Sequence, residues 1–576
     1  MQYRLRGNND TLNIIQTVLI NRGIAPHLCD KYINANKVSR DTYKNLDNIN
    51  KAVDMFVKHF GNKHPIAILA DSDTDGQCSC TLMYKYIKEL DEDYDVRLYV
   101  HERNKSHGLV DKDFVIDEDV KLLIVPDAGS NEIAEHKELY DQGIDCICLD
   151  HHHVAVDISD SPAIVVNNQI GEKYENQNCC GAHVTLEFCR ALDEYYWEEI
   201  SDNYLDLVAV ANVADVMELA ELETKAVITE GCQQINNKML KEIIKAQEFS
   251  MKGKINPHTV GFYISPLINA FIRMATYEER KLLLKAFCEI EDETFEYIKR
   301  GEAFSTEENI YEHVVRLAKS YKGKQDRIRD KAVKQLLAKV GQYENDKVII
   351  MDASKEIEGP LAGLAAIRIS EQLHKPVLLV REHAGALAGS GRAFDGCPID
   401  DFRKLVDDNP YTTFANGHSS AFGLALPADN IDKATQWFNE QLASISMDKI
   451  YHVDFIFDSP YELDVDFVQT IDSYENLWGH GLEEPLVVVK DITLRRDDIH
   501  IQGKDYDSIT FSFADIKYVQ FKMSEDNELL QWASSWDGEP DDEITITIVG
   551  TVSVSEYKGI HTAQFTIKEN MINGMV

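Results

Sequence analysis

The sequence predicts an α/β protein of several domains: a parallel-sheet domain, then a smaller α/β domain, then a strand-rich domain. Three observations carry this expectation. Between about 65 and 170, short apolar runs alternate with helical stretches, the pattern of a parallel sheet covered by helices. A shorter alternation of the same kind runs from about 345 to 445, and beyond 450 strand-like segments follow one another. At 576 residues the chain exceeds what one core supports, and length alone suggests about three or four domains.

In chain order, residues 1–60 show helical periodicity, as at 14–20 and 52–57, and read as a helical preface. The main domain is expected over 61–300. Its apolar runs at 66–70, 96–100, 122–125, 146–149 and 164–166 read as strands, and 180–300 reads as mostly helical. Residues 301–344 are expected to be a connecting helix or linker. Its basic stretch (Lys319, Lys322, Lys324, Arg327, Arg329, Lys331, Lys334) suits either a solvated connector or a nucleic-acid contact. The second α/β domain, 345–449, has strands at 347–351 and 376–380 and a helix from Leu361 to about His374. Within 450–576 the runs at 486–489, 509–513, 544–549 and 563–567 predict a small antiparallel β-barrel, with the OB-like type one option. Of its aromatic group Phe511, Phe513, Tyr518 and Phe521, at least half are expected in the core, and the rest could stack on bases.

Composition narrows the class. Hydrophobic content of 44% with 27% charged residues is that of a soluble globular chain. No apolar run reaches the roughly 18 to 20 residues of a spanning helix, and the start has no signal-peptide core, so a cytoplasmic protein without membrane attachment is expected. Eleven cysteines without a C-x-x-C pair argue for reduced, mostly buried thiols. A net charge of −39 argues against a general nucleic-acid binder, yet screening within about 8 Å leaves room for a local basic groove and bound cations.

Four short clusters carry the chemistry: Asp71-Ser72-Asp73-Thr74-Asp75-Gly76, Pro126-Asp127-Ala128-Gly129, Asp150-His151-His152-His153 and Val213-Ala214-Asp215. The first three begin at the carboxyl ends of predicted strands, where open α/β sheets build their sites. Two carboxylates about 4 Å apart repel by roughly 4 kcal/mol at an effective dielectric of 20, so positive charge should sit among them. Mixed Asp and His donors suit Mn²⁺, and a purely oxygen shell would favour Mg²⁺. The clusters together read as the cradle of a two-metal phosphoesterase, with Asp127 bridging two ions or completing the first site. A calcium loop would need a Glu about six residues past Gly76, and none is there.

These clusters resemble the motifs of the DHH phosphoesterase superfamily, whose signature is Asp150-His151-His152. More of the chain is similar to its RecJ branch of single-strand-specific exonucleases: Pro266-Leu267-Ile268-Asn269-Ala270-Phe271-Ile272-Arg273-Met274, Gly389-Ser390-Gly391-Arg392, Asn416-Gly417-His418-Ser419-Ser420-Ala421-Phe422-Gly423 and Leu19-Ile20-Asn21-Arg22-Gly23-Ile24. Ile272, Ala393 and Asn416 depart from that pattern, where the family has Gly, Ser and Gly.

The resemblance implies a DHH-type domain, a DHH-associated substrate-binding domain and an OB-like domain. It implies metal ligands among Asp71, Asp73, Asp75, Asp127, Asp150, His151, His152 and Asp215, with Asp150 a ligand or an anchor behind one. Of these, Asp73, Asp75, Asp127, His151, His152 and Asp215 would be catalytic, and His153 an incidental neighbour. Arg103, Arg273, Ser390, Arg392 and His418 would bind substrate. The implied activity is hydrolysis of single-stranded DNA to mononucleotides, 5′ to 3′, with two Mn²⁺ or Mg²⁺ ions. The resemblance admits a single-strand-binding protein or a helicase as partner and leaves the oligomeric state open. The rival readings are a DHH enzyme acting on short oligonucleotides or cyclic dinucleotides, and a catalytically silent scaffold.

Overall fold

The computed structural model describes every residue except 36, 37, 39, 103–106, 111–113, 300, 302, 303, 384, 505, 525, 526, 536–541, 558 and 576. Contacts group the chain into two compact units rather than five segments. One comprises His27–Lys324 and Asn476–Glu483; the other comprises Met1–Pro26, Gln325–Glu475 and Glu484–Val576. The helical preface is therefore divided. Its first element, Gln2–Leu5, is a strand paired in parallel with Ile450–Val453. Helix Ile49–Gly61 joins the first unit, where Phe56 meets Phe188 edge-on at 6.0 Å.

The first unit is built on a five-stranded, wholly parallel sheet. Its order is Val96–Val100, Ile66–Ala70, Leu122–Pro126, Asp145–Asp150, Ile164–Asn167. Ile66–Ala70 and Leu122–Pro126 are buried at every position, as strands covered on both faces must be. They are neighbours in the sheet but not consecutive in the chain, so their carboxyl ends flank the point where strand order reverses. Helices Thr74–Leu90, Gly181–Tyr196 and Leu205–Ala214 pack on one another beside the sheet. Further helices follow to Tyr277–Phe287, then a hairpin of Thr294–Tyr297 and Thr306–Asn309, in line with the mostly helical expectation up to 290.

The basic connector is one helix, Ile310–Leu337. Part of its charge is used locally: Arg316 pairs with Glu308 at 2.9 Å, and Arg329 with Asp326 at 2.9 Å.

In the second unit, a five-stranded sheet runs Phe414–Gly417, Ala421–Leu426, Ala386–Arg392, Val377–His383, Ile349–Asp352. Leu378, Phe402, Phe422 and Phe438 are among the residues of its core. A seven-stranded sheet follows, from Phe455–Phe457 through Val487–Arg495, Glu543–Tyr557, Ile560–Met575, Ile516–Gln520 and Ser508–Phe513 to His500–Gln502. The antiparallel expectation fails at two pairings, Phe455–Phe457 with Val487–Arg495 and Ile516–Gln520 with Ile560–Met575, which are parallel. Parallel neighbours need a crossover, and helix Val465–Ser473 lies in the first of these connections. Phe511 and Tyr518 stack at 5.0 Å inside this core, Phe513 lies against Tyr461 at 4.8 Å, and Phe521 is exposed. Among the described residues no helix is long and apolar enough to cross a membrane. None of the eleven cysteines, all among the described residues, forms a disulfide, and all but Cys397 are buried.

Arg22, from one of the family-like segments, has a structural partner: its guanidinium donates to both Asp454 carboxylate oxygens, at 3.2 and 2.9 Å. Asp454 is fully buried and also accepts from Leu486 N at 3.0 Å. Removing one member of such a pair strands the other charge. Asp454→Ala is expected to destabilise this unit by about 3–5 kcal/mol, read as a lowered urea midpoint. Paired replacement of Arg22 by Met and Asp454 by Leu should cost much less.

Candidate metal centre

The Asp71–Asp75 turn follows strand Ile66–Ala70 directly. Asp73 caps helix Thr74–Leu90, its carboxylate accepting from Gly76 N at 2.9 Å. A side chain at Gly76 would collide with Asp71, Cβ to Cβ at 2.6 Å, so glycine permits the tight turn. Asp75 points to the start of helix Gly181–Tyr196. It accepts from Gly181 N at 2.6 Å and Ala182 N at 2.8 Å, where the helix dipole favours negative charge.

Asp127 follows strand Leu122–Pro126 with φ 67, a left-handed conformation that Asp tolerates better than most residues. Gly181 allows the helix to approach it, because a Cβ there would lie 2.6 Å from Asp127 Cα. Asp215 caps the end of helix Leu205–Ala214. His151 is the hub: its Nε2 lies 3.3 Å from Asp127 Oδ1, 3.5 Å from Asp215 Oδ2 and 3.8 Å from Asp75 Oδ2. Two ligand atoms each about 2.1 Å from one tetrahedral ion stand about 3.4 Å apart, so these spacings fit ligands of one cation.

Three overlapping groups could hold ions: Asp75, His151 and Asp215; Asp127, His151 and His152; and Asp71, Asp73 and Asp127. Among the described residues, both oxygens of Asp127 and Oδ2 of Asp215 are buried without a hydrogen-bond partner. Burial, then Asp75, Asp73, Asp71 and Asp215, push the Asp127 carboxyl well above its usual range. Burial, Asp75 and Asp73 do the same to Asp215. For Asp73, burial followed by Asp71 and Asp75 raises the value to about 6. A divalent cation would reverse each shift, so the donor set fits one.

The outer groups orient this set. Asp150 Oδ2 accepts from Ser130 N at 2.9 Å, and Oδ1 from the His151 and His152 amides and from His152 Nδ1 at 2.7 Å. With its oxygens so engaged, Asp150 belongs to none of the three groups and instead directs the His152 ring. Burial alone would raise the Asp150 carboxyl, but His152, His151 and Ser130 hold it well below the usual range. His153 is exposed, and its carbonyl accepts from Asn131. Asp71 accepts from His107 Nδ1 at 2.7 Å and Gly108 N at 3.2 Å.

The sequence reading missed His107, which also meets His152 edge-on at 4.8 Å. Burial opposes its charge, but Asp71 outweighs it and lifts the imidazole to about 10. A His-Gly pair in the loop after strand Val96–Val100 was the available signal.

The expected substrate residues fall in different places. Arg103 lies outside the described residues. Arg273 ends helix Ser265–Met274, whose Asn269 accepts from Thr74 Oγ1 at 3.0 Å, so this helix faces the Asp73–Asp75 turn. Burial lowers the guanidinium's pKa, against the pull of Asp73. Ile272 on the same helix is buried, so its bulk serves packing.

Ser390, Arg392 and His418 belong to the second unit and form a cluster of their own. Arg392 pairs with Ala421 across the sheet, next to the turn holding His418. A Cβ on Gly363, in helix Gly359–Leu373, would lie 2.6 Å from Arg392 Nη2 and 3.5 Å from Ser390 Oγ. Ala393 is buried in that unit's core, and Asn416 is exposed.

The acid and histidine cradle at the switch point of the parallel sheet lies in a DHH-type domain: the DHH family, N-terminal domain, matches residues 65–212. The RecJ OB domain matches 458–569. The SPbeta prophage-derived protein YorK of Bacillus subtilis (strain 168) is 34% identical over 99% of this chain and 98% of its own length. Single-stranded-DNA-specific exonuclease RecJ of the same organism is 25% identical over 92% of this chain and 64% of its own. The crystal structure of RecJ in complex with Mn²⁺ from Thermus thermophilus superposes with a TM-score of 0.71 at 18% identity, covering 99% of this chain and 79% of that one. A second structure of that protein, with Mg²⁺, gives 0.67 at 17% identity over 99% and 78%. The chain belongs to the RecJ-like branch of the DHH family.

Removing the ions should destabilise the first unit in a pH-dependent way. Asp73 rises from 3.8 to about 6 on folding without ions, so the metal-free native state binds more protons than the unfolded chain between those values. Its stability therefore falls as pH rises through that window. The drop in melting temperature on adding EDTA is expected to be several degrees larger at about pH 7.5 than at about pH 5, followed by calorimetry.

Proposed function

We propose that this chain is an exonuclease that hydrolyses single-stranded DNA to mononucleotides, 5′ to 3′, with two divalent ions, Mn²⁺ or Mg²⁺, at the centre described above. The observation that carries the reading is the convergence of Asp75, Asp127 and Asp215 on His151 Nε2, with buried Asp127 and Asp215 oxygens that have no hydrogen-bond partner among the described residues. Asp75, His151 and Asp215 would hold one ion, Asp71, Asp73 and His152 would serve the other, and Asp127 would be shared. When bound, the ions supply the charge that lowers the pKa of an attacking water and stabilises the charge developing at phosphorus.

The chain's own groups prepare that event. The Gly181–Tyr196 helix start fixes the Asp75 carboxylate, and Asp150 fixes the His152 tautomer by taking its Nδ1 proton in a hydrogen bond. Asp150 thereby acts through His152 rather than as a ligand. Arg273 supplies a guanidinium beside Asp73 for a substrate phosphate, and Arg392 and Ser390 supply donors near the start of helix Gly359–Leu373 for the strand's backbone. Names of the curated RecJ relatives, all single-stranded-DNA-specific exonucleases, support the substrate class.

The test uses single strands labelled at either end, as DNA and as RNA, with Mn²⁺. Label at the 5′ end of DNA should appear as mononucleotide first, and Asp127→Ala should slow its release by roughly a hundredfold or more, about 2.7 kcal/mol at the transition state. Mononucleotide from neither strand end would exclude the reading.

A further inference from the structure

The loop behind Asp215 packs against a chain segment from far downstream. The residue after Asp215, Val216, has φ 60. That is the left-handed region, which a β-branched side chain rarely adopts. Its side chain is 53% exposed, so no packing of its own holds it there. Backbone bonds do part of the work: Val216 N to Val213 O at 3.3 Å and Met217 N to Asn212 O at 2.9 Å close the helix end.

The rest of the loop, 217–221, is gripped by Asn476–Glu483. These eight residues belong to the first unit, although the chain on both sides of them belongs to the second. Leu219 N donates to His480 O at 2.8 Å. Lys225, fully buried, donates from Nζ to Leu477 O at 3.2 Å, across 252 residues of chain. Gly479 and Leu482 exchange backbone hydrogen bonds of 2.9 and 3.2 Å, which shape the segment into a tight turn. Leu477, Trp478 and Leu482 are buried. Two glycines make the fit close. A Cβ at Gly479 would stand 2.9 Å from Leu219 Cδ1, and one at Gly481, where φ is +73, would stand 2.9 Å from Glu218 Cβ.

We propose that Asn476–Glu483 is a positioning clamp for the metal centre. It holds the loop behind Asp215 in its strained form and so keeps that carboxylate against His151 and Asp75. The clamp rests on the metal-centre reading given above. Positions that orient ligands typically change metal affinity by about 10–100-fold when altered, without touching the ion.

Mn²⁺ affinity of the full chain, by calorimetric titration, is the readout, with Gly481→Ala and Asp215→Ala compared to the unaltered protein. Gly481→Ala should raise the Mn²⁺ Kd by about tenfold or more while the circular dichroism and the melting temperature in EDTA stay close to those of the unaltered chain. Unchanged affinity in Gly481→Ala, with weakened binding in Asp215→Ala, would overturn the clamp and leave the metal centre standing. Unchanged affinity in Asp215→Ala would overturn the metal-centre reading, and the clamp with it. Should Gly481→Ala fail to fold, hydrogen exchange of the unaltered chain decides. Adding Mn²⁺ should slow exchange in 216–221 and 476–483 together, and slowing confined to 216–221 would overturn the proposal.

Discussion

Buried carboxylates need a counter-charge, and much of the first unit's local design answers that constraint. Asp75 rests on the amides that open helix Gly181–Tyr196, Asp150 on His152 and three amides, and Asp71 on His107 and Gly108. The chain's own groups stabilise those three in part. Among the described residues, Asp127 and Asp215 keep buried oxygens without a protein hydrogen bond, facing the shared imidazole of His151. Interiors tolerate such an imbalance where a cation completes it. The same imbalance explains why the carboxyl groups of Asp73, Asp127 and Asp215 are all raised while that of Asp150 is lowered.

Two of the chain's left-handed residues lie at the same place. Asp127 and Val216, both non-glycine residues with positive φ, sit at a candidate ligand and directly after one. Such conformations persist only where surrounding structure over-determines them. Around Asp127 that structure is the close approach of Gly181 and the bond from Asp127 N to Leu149 O at 2.7 Å. Rigidity in the cradle is thus supplied by the sheet and by the helix start, while the acids themselves remain available.

Features written locally were legible in the sequence. Four- to six-residue apolar runs ending in Asp or His gave the parallel strands and the position of the site, because strand formation and the acids at its end are encoded in adjacent residues. Asp75, Asp127 and Asp215, read from separate stretches, lie within 3.8 Å of His151 Nε2, and Asp73 shares a group with Asp71 and Asp127. What stayed hidden depends on contacts between distant residues. The Gln2–Leu5 strand exists because Ile450–Val453 pairs with it, Arg22 finds Asp454 across 432 residues, and His107 matters only because the fold brings Asp71 to its ring. The return of Asn476–Glu483 to the first unit has no local signal beyond its two glycines. Strand polarity at the carboxyl-terminal sheet failed for the same reason, since alternation marks a strand's faces and says nothing of its neighbour's direction.

On the function proposed above, a pair of divalent ions shared through Asp127 completes the acidic cradle. The decisive measurement is the count of Mn²⁺ bound at saturation, by electron paramagnetic resonance and elemental analysis. Two ions per chain with a spin-coupled signal are predicted, falling to one or none in Asp127→Ala. A saturated chain holding no specifically bound ion, or a single uncoupled one, would rule out a shared two-ion centre.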